Sequence, residues 1–293
     1  MNVLVIGGTQ LMGVHLVNKL LADGHTVTIA TRGTTPDPFG ERVSRLVIER
    51  TDPASLATVF GGQHYDVIYD SLAYSSNEIK YLLDVVRCKR YIQTSTVSVY
   101  YPDMSVDQPE SDFDPTIYPL VWLSRTDDHY SEIKRQAECA MFQTYAHVPG
   151  VAVRFPLVIG TDDYTKRLLF YVERIAQGKP MYVDNLDAAL TFIFSDVAGD
   201  FLASLLTHDF TGPVNASNTG TVSVGEIIAY IEQKTGKQAV LSDTAEPAKY
   251  NAFSSYSLNL SQANQLGYLF GDVRQRFFEL LDIYIEQLEQ FPK

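Results

Sequence analysis

Residues 1–13 read Met1-Asn2-Val3-Leu4-Val5-Ile6-Gly7-Gly8-Thr9-Gln10-Leu11-Met12-Gly13. The apolar run Val3 to Ile6 ends in Gly7-Gly8, and an apolar-periodic stretch follows from Val14 to Leu21. This pattern predicts strand, glycine-rich turn and helix, the setting in which a dinucleotide pyrophosphate lies on a helix N-terminus. Glycine serves the tight turn and lets backbone N–H groups approach the phosphates. Gly7, Gly8, Thr9, Gln10, Leu11, Met12 and Gly13 are therefore cofactor-binding candidates. Gln10 stands where a third glycine is expected, and its Cβ narrows the approach. For the loop alone, an ordinary strand-to-helix turn is the alternative.

Working outward, strand and helix signals alternate. Strands are expected at 26–30, 45–48, 66–69, 91–94 and 151–155, with helices at 53–59, 77–86 and 128–145. Such alternation implies an α/β fold, a Rossmann-type doubly wound parallel sheet. Between Tyr101 and Arg125 four prolines and several acidic residues suggest a long surface loop of the kind that serves as a lid. Later helices are expected at 166–177, 196–206, 224–234 and 274–290. The domain reading is 1–160 for dinucleotide binding and 161–293 for a smaller C-terminal substrate lobe interleaved with the main sheet.

The chain has 293 residues, 45% hydrophobic and 20% charged, enough for an ample core. Cys88 and Cys139 suit neither a disulfide framework nor a metal cluster, so no metal is expected and a reducing compartment fits. No apolar run reaches the length of a membrane span, and no signal peptide is visible, which together suggest a cytoplasmic protein. A net charge of −12 weighs against nucleic acid as a partner.

The fifth strand leads into Thr94-Ser95-Thr96-Val97-Ser98-Val99-Tyr100, and Tyr130-Ser131-Glu132-Ile133-Lys134 has the Y-x-x-x-K spacing. Further markers are Arg154 to Gly160, Phe192 to Ala198, Gly212 to Asn218, Ser223 to Glu226 and Leu266 to Tyr268. In this order they resemble the extended short-chain dehydrogenase/reductases, the branch of nucleotide-sugar epimerases and dehydratases. Y-x-x-x-K occurs twice among 18 tyrosines, but Tyr230/Lys234 lies on a late amphipathic helix, where a core tyrosine is the default. At i and i+4, Lys134 can bring its ammonium near the Tyr130 hydroxyl. A cation there favours the phenolate of a group that ordinarily titrates near about pH 10. Tyr130 is then the acid/base partner of hydride transfer at a carbinol or carbonyl carbon. The resemblance implies that Lys134 also binds the nicotinamide ribose, that Thr96 donates to the substrate oxygen, and that Ser98 lies at the substrate. It also implies cofactor contacts at Leu72 and Ala73, at Thr94, and at Phe155 and Pro156. A strand-end threonine bonding local backbone is the other reading of Thr96. Relatives often form homodimers through two helices that include the Tyr130 helix.

At the end of the second strand, Thr31-Arg32-Gly33 lacks the carboxylate that binds an NAD ribose. Arg32 suits a 2′-phosphate, which favours NADP over NAD; stacking on adenine is the alternative. Glu49 and Arg50 stand where relatives contact adenine. Where dehydratases carry Asp-Glu, this chain has Val97-Ser98, which argues against sugar dehydration. Leu157 and Leu190-Thr191 replace donors that hold a sugar diphosphate, leaving Arg167 or Arg274 as substitutes. Asp163 and Arg167 read first as an i, i+4 ion pair; the other reading puts Arg167 at the anionic end of a small-molecule substrate. Two function classes follow. One is an NAD(P)-dependent oxidoreductase or epimerase. The other is a non-catalytic dinucleotide-binding sensor or RNA-associated protein, since the loop also resembles the chloroplast stem-loop-binding branch.

Overall fold

The computed structural model describes residues 1–290. Residues 291–293, the end of the expected C-terminal lobe, lie outside the described residues. The central strands are β1 (Asn2–Ile6), β2 (Thr26–Thr31), β3 (Ser44–Val47), β4 (His64–Asp70), β5 (Arg87–Thr96) and β6 (Gly150–Phe155). Shorter strands follow: β7 (Leu157–Ile159), β8 (Met181–Tyr182), β9 (Ala189–Leu190), β10 (Phe192–Phe194), β11 (Gly212–Asn215), β12 (Val222–Ser223) and β13 (Glu246–Pro247). The helices are α1 (Met12–Ala22), α2 (Pro53–Phe60), α3 (Ser76–Leu83), α4 (Tyr130–Cys139), α5 (Arg167–Ala176), α6 (Ser195–Ser204), α7 (Val224–Thr235), α8 (Ser261–Gln265) and α9 (Arg274–Gln290).

Seven parallel strands form one sheet in the order β11-β6-β5-β4-β1-β2-β3. The order reverses between β1 and β4, so the loops after those strands open a crevice at their carboxyl ends. Register brings the ends together: Ile6 pairs with Ala30 and Asp70, and Thr96 with Phe155. Alternation in β1 explains both faces. Val3 and Val5 pack with Leu16, Leu20 and Phe201 on one side; Leu4 and Ile6 pack with Phe60, Ile79 and Ala137 on the other. A third cluster, including Leu168, Ile175, Ile231 and Phe277, fills the C-terminal lobe. That lobe reaches back to the sheet: β11 extends its edge and α6 packs on α1. A Cβ on Gly199 would lie 2.8 Å from the Met12 carbonyl oxygen, so glycine permits this close α1–α6 crossing.

Two expectations change. The helix expected over 128–145 begins at Tyr130, and after Cys139 it widens into a π-helical turn, Ala140–Thr144. The loop at 101–125 is pinned along its length and does not hang as a lid. Arg154 donates to the carbonyls of Glu110 and Phe113, Gln143 to those of Pro115 and Tyr118, and Gln136 to that of Pro119. Ser76 then holds Val121 and Leu123. Residues 115–124 thus cross α3 and α4 as a strap.

Candidate active site

The carboxyl ends of the strands open into a cleft of about 690 Å³. The whole glycine loop, residues 7–13, lines it. Gly7 and Gly8 adopt φ of +95° and +91°, where other residues are strained. A Cβ on Gly13 would sit 2.7 Å from Gly8 Cα, so α1 can start against the turn only because position 13 has no side chain. No side chain caps α1 at Leu11, and in its first turn Gly13 N and Val14 N donate to the Gln10 and Leu11 carbonyls. This cradle fits a dinucleotide pyrophosphate. Gln10 lines it too, without closing it.

At the adenosine end the cleft is lined by Thr31, Arg32, Thr34 and Glu49. Arg32 has no ion pair or hydrogen bond among the described residues. Thr31 Oγ1 accepts from Gly33 N, and Glu49 Oε1 accepts from Thr51. Arg50, expected at the adenine, lines the same end of the cleft. Its guanidinium turns inward to Asp70 at 2.6 Å and to the Glu78 carbonyl at 2.6 Å, while Tyr91 donates to the same Asp70. Its charge is met there by Asp70.

Leu72, Thr94, Phe155 and Pro156 line the cleft as expected. Ala73 does not. Its side chain is buried in the core, and its carbonyl accepts from Lys134 Nζ at 2.9 Å. A second acceptor for Lys134 is the Thr94 carbonyl at 2.8 Å. Lys134 is thus tethered to the ends of β4 and β5. Burial lowers its pKa to about 8, against the pull of Glu138, Asp70 and Glu78.

Tyr130 stands at the first turn of α4 with half its surface open to the cleft. Its phenol is raised to about 12, by desolvation first and by neighbouring Tyr74 second, against a hydrogen bond with Thr96 and the charge of Arg167. The expected lowering by Lys134 is not what governs it, because that ammonium is committed to two carbonyls. The local-backbone reading of Thr96 is what the structure shows: its Oγ1 accepts from Ser98 N at 3.1 Å, and the side chain also engages Tyr130. Ser98 Oγ accepts from Thr96 and lines the cleft.

The Asp163–Arg167 pair does not form. Lys166, at φ 55°, breaks the chain before α5, and Asp163 instead accepts from Thr165 N and Oγ1. Arg167 lines the cleft with no ion pair among the described residues. Arg274 lies elsewhere, on Glu226 at 2.5 Å and on the Thr221 carbonyl. Tyr230 and Lys234 both engage Asp282 on α9, as a structural pair.

Sequence reading missed Tyr74 and Arg125. The Tyr74 ring meets Tyr130 edge-on at 6.1 Å, with Arg125 stacked over it at 4.2 Å. Buried Glu78 pairs with Arg125 and accepts from Tyr74 N. Tyr74 follows directly on Ala73, so its place after the fourth strand was the available signal. Arg125 had none, since it arrives from the far end of the strap.

Residues 3–220 match the NAD dependent epimerase/dehydratase family. The chain is 23% identical over 197 residues to chloroplast stem-loop binding protein of 41 kDa b from Arabidopsis thaliana. It is 26% identical over 211 residues to 2'-dehydrokanamycin reductase from Streptomyces kanamyceticus. Those stretches cover 62% and 71% of this chain but only 49% and 59% of the relatives, so the chain spans about half the length of the curated relatives it matches. Among solved structures, UDP-glucose 4-epimerase of Thermotoga maritima with UDP-glucose superposes with a TM-score of 0.74 at 17% identity, covering 100% of both chains. MoeE5 in complex with UDP-glucose and NAD gives 0.73 at 19%, covering 99% of each. At these identities the likeness to solved structures is one of fold. With the family match running through the glycine loop, β5 and the Tyr130 helix, the chain belongs to the NAD dependent epimerase/dehydratase family.

Proposed function

We propose that the protein is an NAD(P)-dependent oxidoreductase or epimerase that acts at a carbinol or carbonyl carbon, with reduction of a ketone as the favoured direction. The observation that carries this reading is the cleft itself. Tyr130, Thr96 and Lys134 meet in the space lined by the uncapped α1 N-terminus. The bound nicotinamide would supply or accept the hydride. Residues 7–13 would hold its pyrophosphate, and Lys134, with a proton beyond its two carbonyl bonds, its ribose. Tyr130, raised to about 12, keeps its proton at neutral pH and can give it to a carbonyl oxygen as hydride reaches the carbon. Thr96 orients that oxygen, Ser98 lines the same wall, and Arg167 holds the distal end of a small-molecule substrate.

NADP is the favoured cofactor, because Arg32 is uncommitted and no carboxylate stands at the end of β2. Residues 1–160 form the cofactor half and the remainder a substrate lobe, with α6 and β11 reaching back. A homodimer built directly on α4 requires the strap to move.

Titration with NADPH and NADH, followed by nicotinamide fluorescence, tests the reading; no binding of either at millimolar concentration sinks it. Tyr130→Phe should bind cofactor normally and lose about 10²–10⁴ in kcat. Unchanged turnover would refute the mechanism. The match to a stem-loop binding protein favours a second reading, an RNA-associated dinucleotide binder. Micromolar RNA binding that fades with salt would support it.

A further inference from the structure

Arg125, Arg167 and Lys249 line the substrate half of the cleft, and two of them have a carboxylate partner, although Glu246 is shared between Lys249 and Arg174. Arg125 is paired with Glu78, and Lys249 with Glu246 at 2.8 Å. Arg167 has no ion pair among the described residues, and Asp163, the nearest carboxylate in sequence, is occupied by Thr165. Its positive charge acts on the hydroxyls of Tyr130 and Tyr256, and on that of Tyr164 against the larger opposing charge of Asp163; all of these residues line the same cleft. Of these three, Arg167 alone has no carboxylate partner among the described residues. Aromatic side chains line the same space: Tyr164, 59% exposed, with Phe253 and the buried Tyr256.

We infer that the substrate is a ring-bearing hydroxy acid, or its ketone, whose single carboxylate pairs with Arg167 while its ring lies against Tyr164. The inference rests on Tyr130 as the reacting phenol. One guanidinium binds one carboxylate through two parallel hydrogen bonds. A diphosphate brings more negative charge than a single cation neutralises, and Leu157 adds no donor. A cationic substrate would be repelled by Arg167 at close range. An aromatic wall takes the face of a ring and leaves the charge to choose its orientation.

The test uses the full chain, with and without saturating NADPH. Benzoate, benzyl alcohol, benzylamine and UDP are titrated by calorimetry, with saturation-transfer NMR for the weaker probes. Benzoate should bind about ten-fold or more tighter than benzyl alcohol. Arg167→Ala should erase that difference while NADPH affinity stays unchanged, and Arg167→Lys should restore part of it. The inference is overturned if benzoate has no advantage, if the advantage survives Arg167→Ala, or if UDP or benzylamine binds better than benzoate. A protein that binds benzoate through Arg167 but takes no cofactor would refute the proposed function and leave Arg167 as a carboxylate site without a reaction. The reverse pattern refutes the inference alone.

Discussion

When α4 docks on the sheet, the Lys134 ammonium loses most of its water and keeps two carbonyl partners and the face of Tyr74 at 5.4 Å. Desolvation outweighs the three carboxylates around it, so its folded pKa falls from 10.5 to about 8. A lowered lysine pKa means that the folded state binds fewer protons than the unfolded one between those values. Stability then rises with pH across that window, and below it the penalty is complete. Lys134→Met should accordingly raise stability at pH 7, by on the order of 3 kcal/mol at most. The gap between variant and wild type should close as pH rises from about 8 toward 10.5. Chemical denaturation across that range checks it; a gap that does not change with pH would mean that the ammonium is well solvated. Arg32 makes a separate prediction. Arg32→Ala should weaken NADPH binding about ten-fold while leaving NADH within about two-fold. Equal loss for both in a fluorescence titration would favour adenine stacking instead.

The turn between β1 and α1 works through the absence of side chains. Gly13→Ala drives a Cβ to 2.7 Å from Gly8 Cα, a contact with backbone that no rotamer relieves. Either α1 retreats or the loop opens, at a cost of about 1–3 kcal/mol. Denaturant midpoint and cofactor affinity should fall together. Loss of neither would show that α1 starts further from the turn. The alternation in β1 and the amphipathic spacing of α1 were legible because each residue's environment follows from its chain neighbours. Strands β7 to β10 were not, because segments of two or three residues carry no period.

Across the whole molecule one buried ion pair ties the cofactor half to the strap. Arg154 and Glu138 are fully buried and 2.7 Å apart, and Ser95 donates to the same carboxylate at 2.5 Å. Arg154 also donates to Tyr100 and to the carbonyls of Glu110 and Phe113. Glu138→Gln leaves that guanidinium without its counter-charge and should destabilise by about 3–5 kcal/mol. It should also speed proteolytic cleavage within 101–125, since the strap's anchor loosens first. Stability lost with no change in cleavage sites would mean that Ser76, Gln136 and Gln143 hold the strap without Arg154.

Chain order carried the parallel sheet, the glycine turn and the Tyr130-x-x-x-Lys134 face, because each depends on spacing between near neighbours. Folding settled the partners. Lys134 turned to Ala73 and Thr94, Arg50 to Asp70, and Arg125 crossed from the strap to Glu78, 47 positions away. Arg167 was left without Asp163. A charged side chain takes the counter-charge that packing brings within a few ångströms, and sequence separation does not record that distance.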